Sequence, residues 1–140
     1  MTLVLVLRVA GLSLIVLSLF HVVLWRTLDW GTDIEKLSPL TARVFVVHTF
    51  FIAFVLGALG LLSLSKPALL LTPSELARFL LMGVVAFWLA RLVIQPLVFD
   101  PAMRSGWTRS PVLRIGANVL WVVYVGVYGA ALLAQFQGAS

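Results

Sequence analysis

The chain contains no cysteine. That single absence excludes a disulfide framework, a thiolate metal site, an iron–sulfur cluster and a covalently attached c-type haem. Charge is scarce as well: 11% of residues are Asp, Glu, Lys or Arg, against 62% hydrophobic residues and a mean hydropathy of +1.13. Ordinary soluble domains carry about 25% charged residues, so this composition indicates a membrane protein. The chain also lacks any Lys/Arg run. Its ten basic residues are scattered at the ends of apolar segments, so the net charge of +5 fits anionic lipid head groups rather than nucleic acid. The lipid bilayer is therefore an expected partner and nucleic acid is not. The five acidic residues lie in loops or at helix ends, whereas proton-coupled transport would ordinarily use a carboxylate deep in a span. Finally, no basic residue precedes the first apolar run, Arg8 interrupts it, and no small-residue cleavage pattern follows before Phe20-His21. It reads as a retained span and not as a signal peptide.

What is present is four apolar stretches, Leu3 to Trp25, Val44 to Ser63, Leu76 to Val98 and Val112 to Ala134, each reaching the roughly 20 residues that cross a bilayer core. The expected fold is an all-α membrane protein with four transmembrane helices in an up-and-down bundle joined by short loops. Residues 1–140 form one four-span domain, with spans of about 3–25, 39–64, 73–95 and 111–136. The three later spans begin with a hydroxyl residue and a proline, at Ser38-Pro39, Thr72-Pro73 and Ser110-Pro111. A cap side chain there accepts from free amides, and proline is tolerated in the first turn. At Thr72-Pro73-Ser74-Glu75 the glutamate is expected to close a capping box on Thr72, with Arg78 pairing with it. Gln95-Pro96 is expected to end the third helix, so that Leu97 to Asp100 leaves the membrane. Gly57 with Gly60, and Gly126 with Gly129, are expected to be close-packing positions.

Basic residues set the orientation. Arg26, Lys36, Arg43, Arg91, Arg104, Arg109 and Arg114 fall on the side of the first and third loops, and Arg8, Lys66 and Arg78 on the side of both termini. The positive-inside rule makes the first and third loops cytoplasmic and the termini external, in what is expected to be the inner membrane of a bacterium. Trp25, Trp30 and Trp107 cluster on the cytoplasmic side, as amphipathic rings do at a head-group boundary.

Depth along each span, at about 1.5 Å per residue, gathers the polar residues. His21 lies five residues before Arg26, His48 five after Arg43, Arg91 five before Pro96, and Asn118 four after Arg114. In an up-and-down bundle these form one layer about 6 to 8 Å below one surface. Gln95 and Asp100 add an amide and a carboxylate above Arg91, and Asp29 and Asp33 lie over His21. The candidate ligand-binding set is His21, His48, Arg91, Gln95, Asp100 and Asn118. An arginine inside a span costs several kcal/mol, so it normally faces the bundle, water or an anion. The bland alternatives are that Arg91 snorkels to the head groups or stacks on Trp88, and that the histidines and Asn118 are interhelical glue.

Two function classes follow. One is a non-catalytic subunit or scaffold of a membrane complex, associating with other membrane subunits or with copies of itself. The other is a membrane redox or ligand-binding protein using His21, His48 and Arg91, whose ligand is quinone-like, a lipid head group or a b-type haem with the two histidines as axial ligands. Catalytic residues are not assigned, because no serine–histidine–carboxylate set and no HExxH pair occurs.

Overall fold

The computed structural model describes residues 2–27, 30–99, 101 and 111–137. Among these, four helices are long and apolar enough to cross a membrane, at Thr2–Trp25, Pro39–Ser65, Glu75–Phe99 and Arg114–Gln137. The chain divides into two compact units, Met1–Pro67 and Ala68–Ser140, and each is a helical hairpin.

The first unit consists of α1 (Thr2–Thr27), a short α2 (Trp30–Glu35) and α3 (Pro39–Ser65). Ser38 caps α3, its hydroxyl accepting from the Thr41 amide at 3.3 Å, and Pro39 occupies the first turn, where an amide would be unpaired anyway. The helices α1 and α3 run antiparallel and approach to backbone contact. A Cβ placed on Gly11 would lie 2.6 Å from the Gly60 carbonyl oxygen, and one on Gly60 would lie 2.7 Å from the Gly11 oxygen. Two turns further along α1, the Ser18 hydroxyl donates to the Ala53 carbonyl at 2.6 Å. Leu7, Ala10, Leu14, Leu56 and Ser63 are buried along this seam. Gly57 sits on it too, its Cβ position 3.1 Å from the Ser18 oxygen. At the loop end, Trp30 of α2 meets Trp25 and Phe45 edge to face, at 6.3 and 5.2 Å, above an open cleft of about 220 Å³ lined by Trp30, Asp33, Ile34, Leu37 and Phe45.

The second unit follows α4 (Pro67–Leu71) with α5 (Glu75–Ile94), a π-helical turn (Gln95–Phe99) and α6 (Pro111–Gln137). Ser74, not Thr72, caps α5: its hydroxyl accepts from the Ala77 amide at 3.1 Å. The expected capping box on Thr72 does not form, because the Thr72 amide is already committed to the Ala68 carbonyl at 2.8 Å, closing α4. Arg78 does not pair with Glu75 either. Its guanidinium lies over the Phe136 ring at 5.5 Å. Nor does Pro96 terminate the helix, which continues to Phe99 as a π turn. Proline clashes with the carbonyl four residues back in an α-helix, and the wider turn accommodates the ring. Gly126 and Gly129 have nothing within 4 Å of a Cβ, so they are not the close-packing positions expected of them.

Trp88, Trp121, Tyr124, Tyr128, Leu70, Leu81 and Ala131 form the buried core of this hairpin. Trp88 and Trp121 stack at 5.3 Å and 18°, with Tyr124 4.4 Å from Trp88. At one end, Gln135, fully buried, accepts from the Ser74 amide at 3.0 Å and donates to the Leu70 and Thr72 carbonyls at 2.7 and 3.1 Å. One side chain thereby fixes the α4–α5 connection to the last turns of α6.

Candidate functional site

Of the residues expected in the polar layer, His21 and His48 belong to the first hairpin and Arg91, Gln95 and Asn118 to the second. Asp100, like Asp29, lies outside the described residues.

His21 is half-buried on α1, one turn beyond Ser18 on the stripe that meets α3. Its Nδ1 lies 2.8 Å from the Leu17 carbonyl. Because a carbonyl only accepts, Nδ1 is the donor in this contact. His48 is exposed. The contact stripe of α3 runs through Phe45, Thr49 and Ala53, and a residue beside that stripe is rotated about 100° away from it. The two imidazoles therefore do not converge within the hairpin. The backbone contact at Gly11–Gly60 and the Ser18–Ala53 hydrogen bond also leave no haem-wide gap between α1 and α3, so a haem held by both rings inside this hairpin does not fit. Among the described residues, no group of three or more His, Asp or Glu is arranged to hold a metal.

The second hairpin brings more together. Trp88, Arg91 and Gln95 recur at i, i+3 and i+7 along α5, the spacing of one helix face. Trp88 and Gln95 are buried, with Arg91 half-buried between them. Gln95, 2% exposed, accepts from Trp121 Nε1 at 3.3 Å. The Arg91 guanidinium lies against two rings, 4.2 Å from the Phe99 centroid and 5.0 Å from that of Trp121. The alternative of stacking on Trp88 is not what the arginine does: it meets Trp121, which itself covers Trp88. Such contacts contribute about 0.5 to 2 kcal/mol, more when water is excluded.

Three donors at this end remain without acceptors although buried: Arg91 Nη1, Trp88 Nε1 and Arg114 Nε. An unmatched buried donor costs roughly 1 to 3 kcal/mol, and more on a charged group. Asn118 does not relieve them: its Oδ1 meets none of the three, and its Nδ2 donates to the Arg114 carbonyl on its own helix at 2.9 Å. The arrangement is a cation in contact with two aromatic rings, with its Nη1 donor unmet, which is chemistry for holding an oxyanion.

Sequence reasoning missed three residues that matter here. Phe99 was expected beyond the helix, Gln135 carried no signal except its place in an apolar run, and Gly11 stood alone without a spacing partner. No protein-family model, curated protein or solved structure matches this chain.

Proposed function

We propose that this chain is a small multi-pass integral membrane protein acting as a non-catalytic subunit or scaffold of a membrane complex. The observation that carries this reading is where its polar side chains go. Ser18 bonds across to Ala53 of the facing helix, Gln95 to Trp121, and Gln135 to three backbone groups of the α4–α5 connection. These groups are used to join helices, as polar residues in membrane bundles commonly are, and they fix shape rather than present reactive atoms. Around them the long helices expose apolar side chains broadly, with 11% of the α3 span buried, which suits lipid and neighbouring subunits alike. We assign the first and third loops to the cytoplasm on the Lys/Arg distribution, seven against three, and the membrane to a bacterial inner membrane.

Gentle detergent extraction tests the scaffold reading. A stoichiometric membrane partner, or a defined oligomer of this chain, is the expected outcome. A lone monodisperse monomer overturns it.

A second reading, ligand binding within the membrane, is favoured by one specific observation: the buried Arg91 Nη1 has no acceptor. Absorption spectroscopy separates its chemistries. A Soret band lost in His21→Ala or His48→Ala supports a haem bound outside the α1–α3 seam, whereas a colourless protein directs the search to copurified quinone or lipid.

A further inference from the structure

Among the described residues, one end of the second hairpin gathers two cations whose buried donors are unmatched, Arg91 Nη1 and Arg114 Nε. The Gln95–Trp121 hydrogen bond fixes the pairing of α5 with α6. Continuing from it toward the α5–α6 connection brings Phe99 on one strand of the hairpin and Arg114 on the other. Arg91 is drawn the same way, since its guanidinium touches a ring eight residues further along the chain, at 4.2 Å. The charge therefore sits nearer the end of the hairpin than its Cα does, as a snorkelling side chain's would. Phe99 and Trp121 both lie against the guanidinium, and a planar guanidinium donates only in its plane. What remains for a ligand is the edge carrying Nη1, which is buried and unmatched. Arg114 Nε, buried and unmatched as well, supplies a second cation two helical turns from Trp121 on α6. The described carboxylate of this unit, Glu75, is at the opposite end of α5, sixteen residues from Arg91.

We propose that Arg91, held against Phe99 and Trp121 and backed by Arg114, binds a phosphate oxyanion at the α5–α6 end of the second hairpin. This rests on the ligand-binding reading above and names the ligand's chemistry. A phosphate presents tetrahedral acceptor oxygens that an arginine edge engages in two parallel charge-assisted bonds, and exclusion of water by the rings strengthens them. Lysine, a point charge without the planar fork, is a poor substitute. Two sources carry this group, the head group of an anionic phospholipid and free inorganic phosphate.

Native mass spectrometry of the delipidated full chain tests the assignment, with phosphatidylglycerol or inorganic phosphate as the probe. The expected result is a one-to-one adduct that Arg91→Gln weakens by about tenfold or more, that Arg91→Lys restores only in part, and that Arg8→Gln leaves unchanged. Arg8 is exposed on α1 and controls for general charge. Phosphatidylglycerol retained against excess inorganic phosphate identifies the lipid as the source, and displacement identifies the free ion. Should Arg91→Gln not fold, Phe99→Leu serves instead, since it removes one of the two rings and keeps the charge, and it too weakens the adduct. Equal loss in Arg8→Gln, or no loss in any Arg91 or Phe99 variant, overturns the phosphate site. A phosphate-free ligand that copurifies in an Arg91-dependent manner overturns the phosphate assignment while the ligand-binding reading stands. Absence of any Arg91-dependent ligand overturns both.

Discussion

A glutamine in the last turns of an apolar helix, such as Gln135, is costly unless each of its polar atoms is met, and here all are. Its carbonyl oxygen receives the Ser74 amide and its nitrogen serves the Leu70 and Thr72 carbonyls. Gln135→Leu keeps the approximate volume but strands those three backbone groups, so it is expected to destabilise the protein by roughly 2 kcal/mol or more. A lowered thermal midpoint in detergent, with faster exchange of the Ser74 amide, is the measurement; an unchanged midpoint would make the clamp dispensable. Glycines give a sharper contrast at the same scale. In Gly11→Ala the new methyl meets the Gly60 carbonyl at 2.6 Å, and backbone on both sides leaves nothing flexible to yield. A cost of about 1 to 3 kcal/mol is expected. Gly126→Ala enters open space and should stay within about 1 kcal/mol of the wild type. Comparable losses in the two variants would show that α1 and α3 do not meet at backbone contact.

At the scale of elements, the start of α5 separates two hydroxyl residues that look equivalent in sequence. Ser74→Ala removes the acceptor for the Ala77 amide and should cost about 1 kcal/mol, read as faster amide exchange in the first turn of α5. Thr72→Val should leave those amides untouched, because Thr72 takes part through its backbone. The reverse pattern would restore Thr72 as the cap. This pair also illustrates what the sequence made legible. Run length located all four long helices, and Ser38-Pro39 the start of α3, because both signals are local and chemical: about 20 apolar residues, a cap and a tolerated proline. Thr72-Pro73 lies just before the true cap, Ser74, and Ser110 lies outside the described residues. Helical spacing likewise grouped Ser18 with His21, and Trp88 with Arg91 and Gln95, since i, i+3 and i+7 follow from the helix itself. What crossed between helices was not legible. Arg91 meets Trp121 and Phe99 rather than Trp88, and that depends on the register of α5 against α6. Gly57/Gly60 and Gly126/Gly129 share one spacing, yet only the first pair faces a close helix. Pro96 was ambiguous for a different reason, since the same clash can end a helix or widen it, and the six residues of α2 were too few for periodicity to reveal.

At the scale of the whole molecule, the proposed topology has α3 crossing a bilayer with its first end in the cytoplasm. Its 27 residues extend about 40 Å at 1.5 Å per residue, longer than a hydrocarbon core of roughly 30 Å. Arg43 stands near its beginning, with Lys36 just before. Because the chain has no cysteine, a single introduced thiol reports its own location without background. Gly31→Cys places one in α2, where a side chain meets nothing within 4 Å, and Ser65→Cys places one at the exposed far end of α3, where sulfur replaces a hydroxyl of similar size. With a membrane-impermeant maleimide applied to intact spheroplasts, Ser65→Cys should label and Gly31→Cys should label only after the membrane is opened. The opposite pattern would invert the orientation and leave the crossing intact, meaning that the acidic residues Asp33 and Glu35 near the first loop outweigh its basic ones. Labelling of both thiols on intact cells would remove the crossing itself. The 11% burial of the α3 span would then represent an apolar surface facing water, which a helix of this composition does not sustain without a protein partner to cover it.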